Sequence, residues 1–240
     1  MPDSEGTTFA VIIAAAGKGT RFNEHRQGGQ PVKKAFAHLD GKPLWLHSAE
    51  KFYAREDVVQ IIVAVAPEDA EWFRQYYMNE INSMLLALAT GGAERGDTVK
   101  SALSAVSPRA GYIAVHDAAR PCITGGDIEA VFREAEKTGA ALLASPVYGT
   151  LKRVEDGVVE KTVDRCGVWE AQTPQVFRRD ILEEAYKSGH HLLATDDSQL
   201  VEMLGGRVSI VPGNRLNIKI TDRHDLMLAR WIISNQFNPS

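Results

Sequence analysis

The 240-residue chain is 44% hydrophobic and 24% charged, ordinary for a folded protein and enough for one large α/β domain or two small ones. Its formal net charge of −4 lacks the basic excess of a nucleic-acid-binding surface, and no apolar run approaches the roughly 20 residues of a membrane span. Cys122 and Cys166 have neither C-x-x-C nor metal-ligand spacing and read as reduced thiols.

The first element is "FAVIIAAA", an apolar, β-rich run beginning at Phe9. The preceding "MPDSEGTT" is acidic and carries no Lys or Arg, unlike a secretory leader, so a cytoplasmic protein is expected. The run then breaks into a glycine-containing turn, Gly17-Lys18-Gly19-Thr20-Arg21. Leu44, Leu46, Ala49, Phe52 and Tyr53 predict one face of a helix over 43–55. "VVQIIVAVAP" predicts a strand over 58–67, and Pro67 with the acids after it opens a helix. A helix over 97–106 is expected with Asp97 as its cap, then a strand from Gly111 that enters a loop at His116. A helix over 127–140 stops at Gly139, and "AALLASPV" is the next strand. Near the end, "RLNIKITDRHDLMLARWII" predicts a strand and then a helix capped by Thr221.

This alternation predicts an α/β fold, a mostly parallel sheet with helices on both faces. In such sheets ligands sit outside the carboxyl ends of the strands, where residues 17–21, His116, Asp117, Thr150 and Lys152 fall. "RVEDGVVEKTV" interrupts the pattern with two alternating runs around Asp156-Gly157. That is a hairpin signal, and a hairpin here is expected to project as an arm over about 147–171 and to join two subunits in a homodimer. No linker or internal repeat divides the chain, so residues 1–240 are expected to form one domain.

Two familiar readings of the glycine turn fail. A dinucleotide fingerprint needs a third glycine where Phe22 stands. The phosphate loop G-x-x-x-x-G-K-[ST] fails at both Gly-Lys pairs, because Ile12 and Phe36 occupy the first position and Gly19 and Pro43 the last. What remains is A-A-G-x-G-T-R, with Lys34 thirteen residues beyond Arg21. "GGAERGDTV" (91–99), "VHDAARP" (115–121), "TVDRCGVWEAQTPQVF" (162–177), "TDDSQLVE" (195–202) and "NIKIT" (217–221) follow in that order.

Together these segments resemble the family of 2-C-methyl-D-erythritol 4-phosphate cytidylyltransferases, within the sugar- and polyol-phosphate nucleotidyltransferases, from Phe9 to about Ser234. The resemblance implies a Rossmann-like three-layer sandwich and the transfer of CMP from CTP to 2-C-methyl-D-erythritol 4-phosphate. Pyrophosphate leaves, and the product is an intermediate of non-mevalonate isoprenoid biosynthesis. An already ionised phosphate attacks, so catalysis is positioning and charge neutralisation more than base chemistry. Arg21 and Lys34 are implied to stabilise the transition state, and Lys219 to align the phosphates. Ala14, Ala15, Ala16, Gly17 and Gly19 would hold the nucleotide together with Gly91, Gly92, Ala93 and Thr98, whose hydroxyl would bond the base. Asp117 would hold Mg²⁺. Asp117, Arg120, Thr150, Arg165 and Thr195 would bind the polyol phosphate, with Thr150 and Arg165 reaching from the arm into the neighbouring subunit's site.

His116 reads as structural, and His190 and His191 as surface residues. The chain departs from the family pattern twice. Ala93 stands where relatives often carry Asp, and "NEHRQGGQPVKK" is longer than the expected loop, suggesting a mobile lid. That loop offers Lys33 beside Lys34; the spacing to "AFAHLDGKPL" favours Lys34, so Lys33→Ala is expected to do little. A ribitol-5-phosphate cytidylyltransferase is the nearest alternative. A non-catalytic nucleotide-binding protein on the same fold is another, against which Arg21, Lys34, Asp117 and Lys219 together speak.

Overall fold

The computed structural model of the chain describes residues 6–17, Gly19, Phe22, and residues 33–84 and 86–236. Arg21 and the lid expected before Lys33 lie outside the described residues.

β1 (Phe9–Ala14) is buried along almost its whole length, which explains its unbroken apolar sequence. A 3₁₀ turn (Lys34–Phe36) leads into a small ribbon, β2 (His38–Leu39) and β3 (Lys42–Pro43). α1 (Leu44–Tyr53), β4 (Val58–Val65), α2 (Ala70–Tyr76), α3 (Met78–Ser83) and β5 (Leu86–Thr90) follow. Then come α4 (Arg95–Leu103), β6 (Tyr112–Asp117), α5 (Gly125–Thr138), β7 (Ala140–Pro146), β8 (Leu151–Glu155), β9 (Val158–Val163) and β10 (Trp169–Arg178). α6 (Arg179–Lys187), α7 (Asp197–Met203), β11 (Ser209–Pro212) and α8 (Arg223–Gln236) complete the described chain.

The central seven-stranded sheet runs β11-β7-β10-β6-β1-β4-β5. Every pairing in it is parallel except those of β10 with β6 and β7. Side chains alternate across β1: Phe9, Val11 and Ile13 join one core with α1, α2 and α5, while Ala10 and Ile12 join a second core with α4, α6 and α7. The expected three-layer α/β sandwich therefore has one core on each face of the sheet. α8 packs a third cluster against Leu39, Leu44 and Ile220.

The hairpin is present as β8 and β9, a separate two-stranded sheet turning through Asp156 and Gly157, both at positive φ (49° and 80°). Gly139 stops α5 at φ 85°, as expected.

Several local expectations need correction. Asp97 does not cap α4; the helix starts at Arg95 after Glu94, and Asp97 reaches back to the Glu94 N–H at 3.3 Å. Tyr53 is exposed at the end of α1 rather than on its buried face. No strand forms over 215–220, because its backbone is committed elsewhere: Arg120 takes the Asn217 carbonyl and the Ile220 N–H bonds Ala119. Asp222, not Thr221, caps α8, accepting from the His224 and Asp225 N–H groups at 2.8 and 3.0 Å. His191 is buried against Asp97 and not on the surface.

Candidate active site

β1 has β6 on one side and β4 on the other, so successive crossovers diverge at its carboxyl end and open a crevice there. The cleft has a volume of about 670 Å³ and is walled by the segments leaving β1, β4, β5 and β6, with Lys34 and Lys219 from elsewhere in the chain.

Backbone forms one wall. Ala15 N–H bonds the Ala64 carbonyl and Gly91 N–H bonds the Val65 carbonyl, so the turn after β1 and the loop after β5 are pinned to neighbouring strands. Gly91 is required by close approach: a Cβ there would stand 2.5 Å from the Ala16 Cβ and 2.8 Å from the Thr98 hydroxyl. Thr98 accepts from the Gly92 N–H and donates to the Glu94 carbonyl, so its hydroxyl proton is already used to shape the loop. Gly19, at φ +61°, brings the first turn against Lys34.

Charge is concentrated on Asp117, at the end of β6 level with Ala14. Its Oδ2 lies 2.5 Å from Lys219 Nζ and its Oδ1 3.2 Å from Arg95 Nε. Burial alone would raise this carboxyl, but Arg95, Lys219 and Arg120 overcome that and hold it well below the usual carboxylate range. Arg95 in turn bonds the fully buried Asp197 at 2.7 Å, and Asp197 accepts from the Tyr186 hydroxyl at 2.6 Å. Burial would lower the Arg95 guanidinium, yet Asp197 and Asp117 keep it raised and charged.

His116 is fully buried, and burial pushes its ring down to about 3. Neutral, it donates from Nε2 toward the Arg120 carbonyl at 3.2 Å and accepts at Nδ1 from the Thr173 hydroxyl, which itself accepts the Asp117 N–H. This buried chain fixes the loop that carries Asp117, in keeping with a structural role for His116.

The cleft thus unites Ala14, Ala15, Ala16, Gly17, Gly19, Lys34, Gly91, Gly92, Ala93, Thr98, Asp117 and Lys219. Arg120 is buried beside it, donating to the carbonyls of Asn217 and Ala171, and does not line it. Thr150, Arg165 and Thr195 are exposed and lie outside its lining. Arg95 and Glu68 line the cleft without having been assigned from sequence. Arg95 carried one readable signal: a cation in the first turn of a helix, where the dipole disfavours it, needs another partner.

The sequence profile of the family described as "IspD: 2-C-methyl-D-erythritol 4-phosphate cytidylyltransferase" matches residues 9–235. The chain belongs to this family. It is 42% identical over 238 residues to the enzyme of that name from Rhodopirellula baltica, covering 95% of each chain. It is also 42% identical to that of Endomicrobium trichonymphae, covering 94% of this chain and 99% of the relative. Among solved structures, the Francisella tularensis family member superposes with a TM-score of 0.77 at 30% identity, over 94% of this chain and 100% of that one. Family membership makes the chain a cytidylyltransferase on a Rossmann-like fold.

Proposed function

We propose that the chain transfers CMP from CTP to 2-C-methyl-D-erythritol 4-phosphate, with the nucleotide in the cleft at the carboxyl ends of β1, β4, β5 and β6. The observation that carries this reading is the ionised Asp117 held between Arg95 and Lys219, facing the same space as Lys34 and the tightly approached backbone of Ala14 to Gly17 and Gly91 to Ala93. Cations and backbone amides around a crevice suit a polyanion.

A phosphate oxygen of the polyol attacks the α-phosphorus of CTP. A new P–O bond forms there as the bond to the bridging oxygen breaks, and pyrophosphate departs with that electron pair. Lys34 and Arg21 neutralise charge building on the transferring and leaving oxygens. Lys219, paired with Asp117 before substrate arrives, is close enough to exchange that carboxylate for a phosphate oxygen. Thr98 supports the cytosine-reading backbone by fixing the loop.

The residues fit a divalent cation carried in on the nucleotide. Asp117 stays ionised in the cleft wall, and among the described residues no cluster of three His, Cys, Asp or Glu forms an all-protein cage. Mg²⁺ held there would supply further neutralisation of the phosphates. Arg165 and Thr150 serve the polyol phosphate from the arm of the second subunit of a cytosolic homodimer, with Arg120 and Thr195 at the margin of that subsite.

A pyrophosphate-release assay tests the reading. Turnover with CTP and methylerythritol phosphate is expected, and Lys34→Ala should lower kcat by ~10²–10³. Faster turnover of ribitol 5-phosphate would replace the assigned acceptor, and CTP binding without turnover of either would remove the catalytic reading.

A further inference from the structure

From sequence alone Lys33 has no task beside Lys34, but the fold gives it one. Its Nζ donates to Glu68 Oε1 at 2.8 Å and to Asp69 Oδ2 at 2.5 Å. Both acids lie in the 3₁₀ turn after β4 that leads into α2, and Glu68 lines the cleft together with Lys34 and Pro67. The Lys33–Asp69 pair is only partly open to water, at 25% and 16% side-chain exposure, whereas Glu68 at the cleft rim is 66% exposed. On the other side of Lys34, the Phe36 ring packs against Trp72 and Phe73 of α2, at centroid distances of 5.2 and 5.8 Å. Lys34 is therefore carried by a short turn fastened on both sides, by an ion pair to the 3₁₀ turn that leads into α2 before it and by aromatic contacts with α2 after it.

We propose that Lys33 is a positioning residue that fixes Lys34 in the cleft and is a counter-charge that limits the repulsion of an incoming triphosphate by Glu68 and Asp69. The inference rests on the reading of the cleft as the CTP site. A nucleotide triphosphate brings several negative charges past this rim, where the largely buried Asp69 carboxylate is screened by water less than the exposed Glu68. Among these three described side chains, Lys33 leaves one net negative charge instead of two. Burial would lower the Lys33 ammonium, but its bonds to Asp69 and Glu68 hold it raised, so it remains charged wherever the enzyme works.

The two roles separate in a variant series measured as kcat and KM for CTP, with Lys34→Ala alongside. Lys33→Gln is expected to raise KM for CTP about tenfold and to lower kcat severalfold, because the rim charge is exposed and the Lys34 turn loses one fastening. Lys33→Arg should recover most of both, since it keeps the charge and can bond both acids. Lys33→Gln combined with Glu68→Gln and Asp69→Asn should bring KM back to within about twofold of the parent while kcat stays low. The parent KM and kcat in Lys33→Gln, next to a disabled Lys34→Ala, would overturn the proposal alone. A KM equally raised in the single and triple variants would overturn the charge role. Undiminished kcat in Lys34→Ala would instead remove the reading of the cleft on which the proposal depends.

Discussion

At the scale of single residues, the cleft is organised by one carboxylate. Asp117 is buried and bonded to two cations that come from distant parts of the chain, 22 residues before it for Arg95 and from the segment before α8 for Lys219. Asp117→Asn would leave Lys219 and one side of Arg95 uncompensated. Breaking a buried ion pair costs about 3–5 kcal/mol, and the partial exposure of Lys219 and Arg95 reduces this to roughly 2–3 kcal/mol. Urea unfolding should register that loss, and turnover should fall with it. The buried histidines give a pH signature of their own. Burial lowers the His47 ring, and it lowers His116 to about 3, so both stay neutral in the folded protein below the ordinary histidine value, where the unfolded chain binds protons. Stability is then complete above about pH 6.5 and falls as pH drops below it, down to about 3 for His116, with a slope of up to ~1.4 kcal/mol per pH unit for each histidine while it stays neutral. Unfolding free energies at pH 7.5 and 5 should differ in that direction. His116→Gln, which can still accept from Thr173 and donate to the Arg120 carbonyl, should flatten the dependence.

At the scale of elements, the loop after β5 is shaped by contacts between its own residues and the turn after β1. Gly91→Ala places a methyl group 2.5 Å from the Ala16 Cβ, so one of the two loops must shift. Overpacking of this kind costs about 1–3 kcal/mol, so Gly91→Ala should lower the melting temperature, and the displaced backbone should also raise KM for CTP. Calorimetry and nucleotide titration on the same variant would separate those effects. The same loops explain what was legible in the sequence. Turns at the ends of parallel strands need glycine, and phosphate chemistry needs cations, so "AAAGKGTR" and "GGAERGDT" stand out as short local patterns. β10 did not stand out, because it buries polar residues: Gln172, Thr173 and Gln175 bond Asn214, His116 and Asp196 instead of presenting an apolar face. "NIKI" misled in the opposite way, alternating like a strand while its backbone serves Arg120 and Ala119. Arg95 stayed hidden for a related reason. Its partners, Asp117 and Asp197, lie 22 and 102 residues away, and only the folded chain brings them together.

At the scale of the whole molecule, the cleft and the arm stand apart. Lys34, Asp117 and Lys219 line the cleft, whereas Thr150 and Arg165 lie at the ends of the β8–β9 arm and are exposed. That arm pairs with no strand of the central sheet and carries uncovered apolar side chains, Val154, Val158 and Val159, of which Val158 is 70% exposed. Apolar groups on a two-stranded ribbon are stabilised by cover, and in the proposed homodimer a second copy of the chain would supply it by symmetry. If the arm completes the partner's cleft, two differently disabled subunits must repair one another. In a mixed dimer of Lys34→Ala and Arg165→Ala chains, one site would lack Lys34 and receive no Arg165. The other would keep its own Lys34 and receive Arg165 from its neighbour. Random mixing makes half the dimers mixed, each with one working site, so co-refolded subunits should show about a quarter of the parent activity although each variant alone is nearly inactive. If Arg165 acts within its own subunit, neither site of the mixed dimer is complete and mixing restores nothing. Val159→Glu, which sets a charge beside its cross-strand neighbour Val154 on one face of the arm, should lower dimer content in sedimentation and should abolish the repair in parallel.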